Sequence, residues 1–147
     1  MAATALVGMA ILKPVVALAT WTMVMWLWMY ATRIPAMSKA KIDTVNLVGG
    51  KTGSLDDVLP ENIQWIAHNY NHLHEAPTVF YAVALVLAIT GHGDGLNAQI
   101  AWAYVGLRVL HSIVQASINR IIIRFSLFAL SSLALIALVV HAVIAVF

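Results

Sequence analysis

Three groups of polar residues stand inside the most apolar parts of this chain. His68, Asn69, Asn71, His72 and Glu75 lie in one short stretch. At about 100° per residue, a helix gathers His68, Asn71, His72 and Glu75 within an arc of roughly 100°, with Asn69 beside it. Arg108, His111 and Gln115 are spaced three and four apart and share one helix face. Arg120 and Arg124 are four apart. Guanidinium groups are planar, permanently charged donors for carboxylates, so Arg33, Arg108, Arg120 and Arg124 point to an anionic ligand. Glu75 and the amides are then placed for the ligand's ammonium and peptide groups. Two other chemistries use the same residues: His68, His72, Glu75 and His111 as zinc or iron ligands, or two facing histidines on a haem. Against a metal, the arginines sit close to any bound cation, and no second Glu-x-x-His partner exists. A purely structural reading pairs Glu75 with Arg108 inside a bundle and leaves Arg120 and Arg124 as topology signals.

The elements that position these groups follow from composition. Of 147 residues, 62% are hydrophobic, 10% are charged and none is cysteine. Soluble domains are about 45–50% apolar and about 25% charged. So small a chain cannot cover that apolar surface in water, and a mean hydropathy of +0.89 agrees. The fold class is therefore all-α, an integral membrane four-helix bundle. Without cysteine there is no disulfide, thiolate metal site or cysteine nucleophile, so thiol chemistry has to arrive with a substrate. No basic cluster interleaves with aromatics, which argues against nucleic acid.

A crossing helix needs about 20 apolar residues. Four spans are expected in a single domain over 1–147, at about 14–32, 62–90, 96–116 and 121–147. Pro77 should kink the second. Ala17-Leu18-Ala19 resembles a signal cleavage site, but the apolar run continues beyond it and no basic region leads it. Trp21, Trp26 and Trp28 read as interfacial anchors, and His141, alone in the fourth span, as structural. The loop at about 33–60 carries Arg33, Lys39, Lys41 and Lys51, and the third connection carries Arg120. The second connection has no Lys or Arg. The positive-inside rule then puts the first and third connections in the cytoplasm and both termini outside, in an inner membrane. All three polar groups fall in the cytoplasmic half. Gly49-Gly50-Lys51-Thr52 lacks the earlier glycine of a phosphate loop, since position 45 is Val45. It reads as a turn, with Ser54, Asp56 and Asp57 leading to the second span.

The stretch Asn69-Tyr70-Asn71-His72-Leu73-His74-Glu75-Ala76-Pro77-Thr78-Val79-Phe80-Tyr81, then Arg108-Val109-Leu110-His111, then Arg120-Ile121-Ile122-Ile123-Arg124, resembles the MAPEG family. These are the membrane-associated proteins of eicosanoid and glutathione metabolism. The resemblance covers nearly the whole chain. It implies a homotrimer with glutathione, as co-substrate, bound between neighbours near the cytoplasmic side. It also implies conjugation to lipophilic small molecules, peroxide reduction or isomerisation in contact with membrane lipids. Arg124 matches the arginine that stabilises the glutathione thiolate. Arg33, Glu75, Arg108 and His111 match ligand-contacting positions, and Gln115, Arg120 and Ser126 are nearby candidates. Two positions depart from the pattern: His72 stands for an asparagine, and Gln115 for a tyrosine of some members. The expected function is a glutathione-dependent transferase or peroxidase. The alternative is a non-catalytic membrane subunit for lipid binding or scaffolding.

Overall fold

The structure is a computed structural model that describes residues 8–46, 55 and 58–147. Gly49-Gly50-Lys51-Thr52, Ser54, Asp56 and Asp57 lie outside the described residues. Those described form five helical segments and no strand: α1 (Leu12–Lys39), α2 (Glu61–His72), α3 (Ala76–Ile89), α4 (Leu96–Ser117) and α5 (Ile121–Val146). Segments α2 and α3 run in series, so the segments make a four-rod helical bundle. Among the described residues, Leu12–Lys39, Glu61–Ile89 and Ile121–Val146 are long and apolar enough to cross a membrane. At 1.5 Å per residue, α1 is about 42 Å long, more than the hydrocarbon core needs. It therefore continues past the expected end, and Arg33 sits within the helix.

Helix α4 explains how the bundle holds its polar groups. It is long enough to cross, but Asn97, Gln99, Arg108, His111 and Gln115 lower its hydropathy. Of these, Arg108, His111 and Gln115 are buried, together with Ser112. The helix packs on α1, α2 and α5, which shield that face from lipid. Apolar side chains such as Ile121, Ile122, Phe125, Leu133 and Ile144 of α5 lie exposed instead. Lipid tails solvate those, but cannot satisfy a buried polar group. The core proper is Leu18 and Met25 of α1, Phe80 and Leu87 of α3, Tyr104 of α4 and Leu138 of α5, all fully buried. Phe80 stacks on Tyr104, with centroids 4.6 Å apart.

The second span is broken rather than kinked. Pro77 has no N–H for the Leu73 carbonyl, and its ring crowds that group. The chain leaves helical geometry at Glu75 (φ −93°, ψ −105°) and restarts at Ala76. Tight three-residue bonds span the break, His74 N–H to the Asn71 carbonyl at 2.9 Å and Glu75 N–H to His72 at 3.3 Å. The Thr78 hydroxyl donates to the Glu75 carbonyl at 2.7 Å.

At the far end the N-terminal segment is clasped to the α3–α4 connection. Asp94 accepts from the Gly8 N–H at 2.6 Å and the Ala10 N–H at 2.9 Å. The Ile11 N–H donates to the Gly93 carbonyl at 2.9 Å. The backbones approach so closely that a Cβ on Gly93 would collide with the Gly8 carbonyl oxygen. His141 is tied down here as well, 2.5 Å from Asn97 Oδ1.

Candidate functional site

The break between α2 and α3 delivers His72, the last residue of α2, to a cavity at one end of the bundle. Its volume is about 270 Å³, and it is lined by His72, His111 of α4, and Ile121, Arg124, Phe125 and Phe128 of α5. The His72 and His111 rings meet edge to face, with centroids 6.0 Å apart. Helix α4 hands over to α5 through Asn119, which adopts the left-handed conformation (φ 47°). Asparagine tolerates that region better than most residues. Its N–H bonds back to the Val114 carbonyl at 2.8 Å, closing α4. Its Oδ1 accepts from Arg124 Nη1 at 2.6 Å. One residue thus ends a helix and aims a guanidinium. The Nε of Arg124 is buried and has no hydrogen-bond partner. In a cavity walled by phenylalanine and isoleucine, that unsatisfied donor favours an anion.

The ion pair expected between Glu75 and Arg108 does not form. Glu75 is at the helix break, with 62% of its side chain exposed, and its Oε2 lies 2.9 Å from His72 Nδ1. The contact is bent: it brings the ring nitrogen and the carboxylate together without making a hydrogen bond, and Nδ1 keeps no hydrogen-bond partner. Arg108 is buried one turn before His111, where Nε donates to the Tyr104 hydroxyl at 3.3 Å. Its guanidinium carbon lies 5.5 Å from the Phe128 ring centroid and 5.8 Å from that of Tyr104. The two rings hold the cation through their negative faces, and no carboxylate is within salt-bridge range of it among the described residues.

The other candidates divide by depth. Asn69 is fully buried and donates to Ser112 Oγ at 2.5 Å, while Trp21 Nε1 donates to the same oxygen at 2.9 Å. Gln115 is buried, with Oε1 unpartnered. The Asn69 bond ties α2 to α4, and neither residue lines the cavity. His68 and Asn71 are exposed on α2. Arg120 is exposed at the start of α5. Ser126, two residues beyond Arg124 and so on the far side of α5, donates to the Ile122 carbonyl at 2.9 Å. Arg33 is half-buried on α1 and does not line the cavity. Among the described residues no three His, Asp or Glu side chains are grouped to hold a metal ion.

Sequence reasoning singled out the three polar members of the cavity and missed its apolar wall and Asn119. The wall leaves no signal, because Phe125 and Phe128 look like any other apolar residue of a spanning helix. Asn119 could have been found: an asparagine between two helical runs, five residues before an arginine, is a helix stop with a free acceptor.

The family model described as the MAPEG family matches residues 11–144. Neither the curated proteins nor the solved structures contain a match to the chain.

Proposed function

The chain belongs to the MAPEG family, and from that membership we propose that it is a glutathione-dependent transferase or peroxidase acting on lipophilic electrophiles. The observation that carries this reading is Arg124: a partly buried guanidinium, held by Asn119, with an unpaired Nε in an apolar cavity beside two imidazoles. A thiol near its ordinary pKa of about 8.5 is mostly protonated at neutral pH. An opposite charge within about 4–6 Å depresses such a value by 1–3 units. Arg124 is then the group that holds the thiolate, and Ile121, Phe125 and Phe128 admit an apolar electrophile from the lipid side.

The cavity is smaller than the roughly 300–1,000 Å³ usual for small-molecule sites. It suits the thiol end of the tripeptide, and the remainder lies over the open side. Arg33, Arg120 and Glu75 are the charged groups proposed to meet it there, from this subunit or a neighbour. A homotrimer fits the exposure of Asn71, Glu75 and His68 on a spanning segment, since such groups face protein or water rather than lipid tails. The basic first and third connections support a reading in which this end of the bundle lies at the cytoplasmic face of an inner membrane, with both termini outside.

Titration of the detergent-solubilised protein with glutathione tests the proposal. Saturable binding with a rise in thiolate absorbance is expected, followed by conjugation of a generic electrophile. Absence of binding would leave the non-catalytic membrane subunit as the reading.

A further inference from the structure

Arg124 can hold a thiolate but cannot take the proton that its formation releases, because a guanidinium is already charged at every relevant pH. We infer that His72, oriented by Glu75, is the base that receives this proton, and that it returns the proton to the product. The inference rests on the glutathione reading above.

His72 lines the cavity with Arg124 and, among the described residues, is the one of its two imidazoles with a carboxylate in contact. Nδ1 is buried and faces Glu75 Oε2 at 2.9 Å, while 34% of the side chain is exposed. The accessible edge of the ring is therefore the edge away from Nδ1, which carries Nε2. With Nδ1–H turned to Glu75, Nε2 keeps its lone pair for a proton. The bent Nδ1–Glu75 contact is what a general base shows before its substrate arrives, since such bonds tighten in the reacting complex. The titratable and charged groups around His72 are Glu75 beside it, His111 from α4 and Arg124 from α5, with Arg108 one turn before His111. Arg33 is the one charge of α1 between Lys13 and Lys39. His111 has no carboxylate partner among the described residues; it lies among Arg108, Arg124 and His72.

The step balances. The S–H bond breaks, its electron pair stays on sulfur, and the proton moves to His72 Nε2. Arg124 faces the resulting thiolate and Glu75 the resulting imidazolium, so the cavity's net charge does not change. With an activated alkene as electrophile, sulfur forms the new C–S bond. The alkene's electron pair becomes a carbanion, which takes the proton back from His72.

Proton counting tests this directly. Glutathione binding is measured calorimetrically near neutral pH in two buffers of unlike protonation enthalpy, with thiolate absorbance read in parallel. The wild-type protein should form the thiolate while releasing well under one proton per site, and His72→Asn should release about one proton per thiolate formed. His72→Asn should also lose about 10²-fold in kcat/KM, and the acid limb of its pH profile should move from the imidazole's ionisation to that of the bound thiol. Glu75→Gln, at an exposed position, should shift proton release in the same direction by less, which keeps the test alive if His72→Asn fails to fold. Saturable binding and turnover with proton release unchanged in both variants would overturn the inference and leave the glutathione reading standing. No binding to the wild-type protein would overturn both.

Discussion

Ser112 is the hydroxyl on which three helices meet, and replacing it by alanine should loosen the bundle behind the cavity. Its Oγ accepts from Trp21 of α1 at 2.9 Å and from Asn69 of α2 at 2.5 Å, and both Ser112 and Asn69 are fully buried. In water-soluble proteins a stranded buried donor costs about 1–3 kcal/mol. Interhelical bonds in membranes measure less, about 0.6 kcal/mol on average and up to about 1.7, because the unfolded chain in the bilayer also finds partners. Two such bonds give about 1–3 kcal/mol for Ser112→Ala. Trp21→Phe keeps the aromatic bulk and removes one donor, so it should cost only about 0.6 kcal/mol. Reversible unfolding in mixed micelles, run as a double-mutant cycle with Asn69→Ala, separates the bonds from the packing. Asn69→Ala should cost less when Ser112 is already alanine. Ser112→Ala within about 0.3 kcal/mol of wild type, or costs that add in full, would refute the hub.

Arg124→Ala should abolish the thiolate absorbance of bound glutathione while thermal unfolding stays near wild type. Asn119→Gly keeps the left-handed backbone but removes the acceptor for Arg124 Nη1, so it should lower the thiolate signal without lengthening the α4–α5 connection. The clasp should be acid-labile: the N–H groups of Ala10 and then Gly8 hold the Asp94 carboxyl below the ordinary carboxylate range. Because the folded value is the lower one, the contribution is complete above the unfolded pKa and disappears as the pH falls through the folded value. Amide exchange at Gly8 and Ala10 should speed up in that window, and Asp94→Asn should show fast exchange already at neutral pH. Single cysteines at Asn46 and Asn119 should label only from the cytoplasm and one at His92 only from outside, in a chain with no native cysteine to remove.

The helical membrane architecture was legible because hydropathy and length constrain a spanning segment more tightly than they constrain soluble helices. The convergence of His72, His111 and Arg124 was legible too, since helical spacing and antiparallel order put them at one depth. What spacing could not supply was partner choice. Glu75 and Arg108 are the obvious opposite charges, yet the sequence says nothing of which way each side chain turns at its own depth. Arg108 turns onto Tyr104 and Phe128, and Glu75 stays at an exposed break. The signal that decided this was Pro77. Read as a kink, it leaves Glu75 on a continuous helix face; as a break, it removes Glu75 from that face and sets it against His72.

That break also explains why the cavity lies where it does. A continuous helix through residues 72–77 would carry its backbone groups past α4 fully bonded. Ending α2 at His72 frees one turn of chain to bend, so that an imidazole and a carboxylate from neighbouring positions come within 2.9 Å of each other beside the cavity that His72 shares with His111 and Arg124. In a bilayer such a rupture is tolerable only where protein or water, rather than lipid, surrounds the freed groups. The three-residue bonds from His74 and Glu75, and the Thr78 hydroxyl on the Glu75 carbonyl, supply part of that compensation. The same proline that costs the span its continuity therefore sets Glu75 against His72, which lines the cavity together with Arg124.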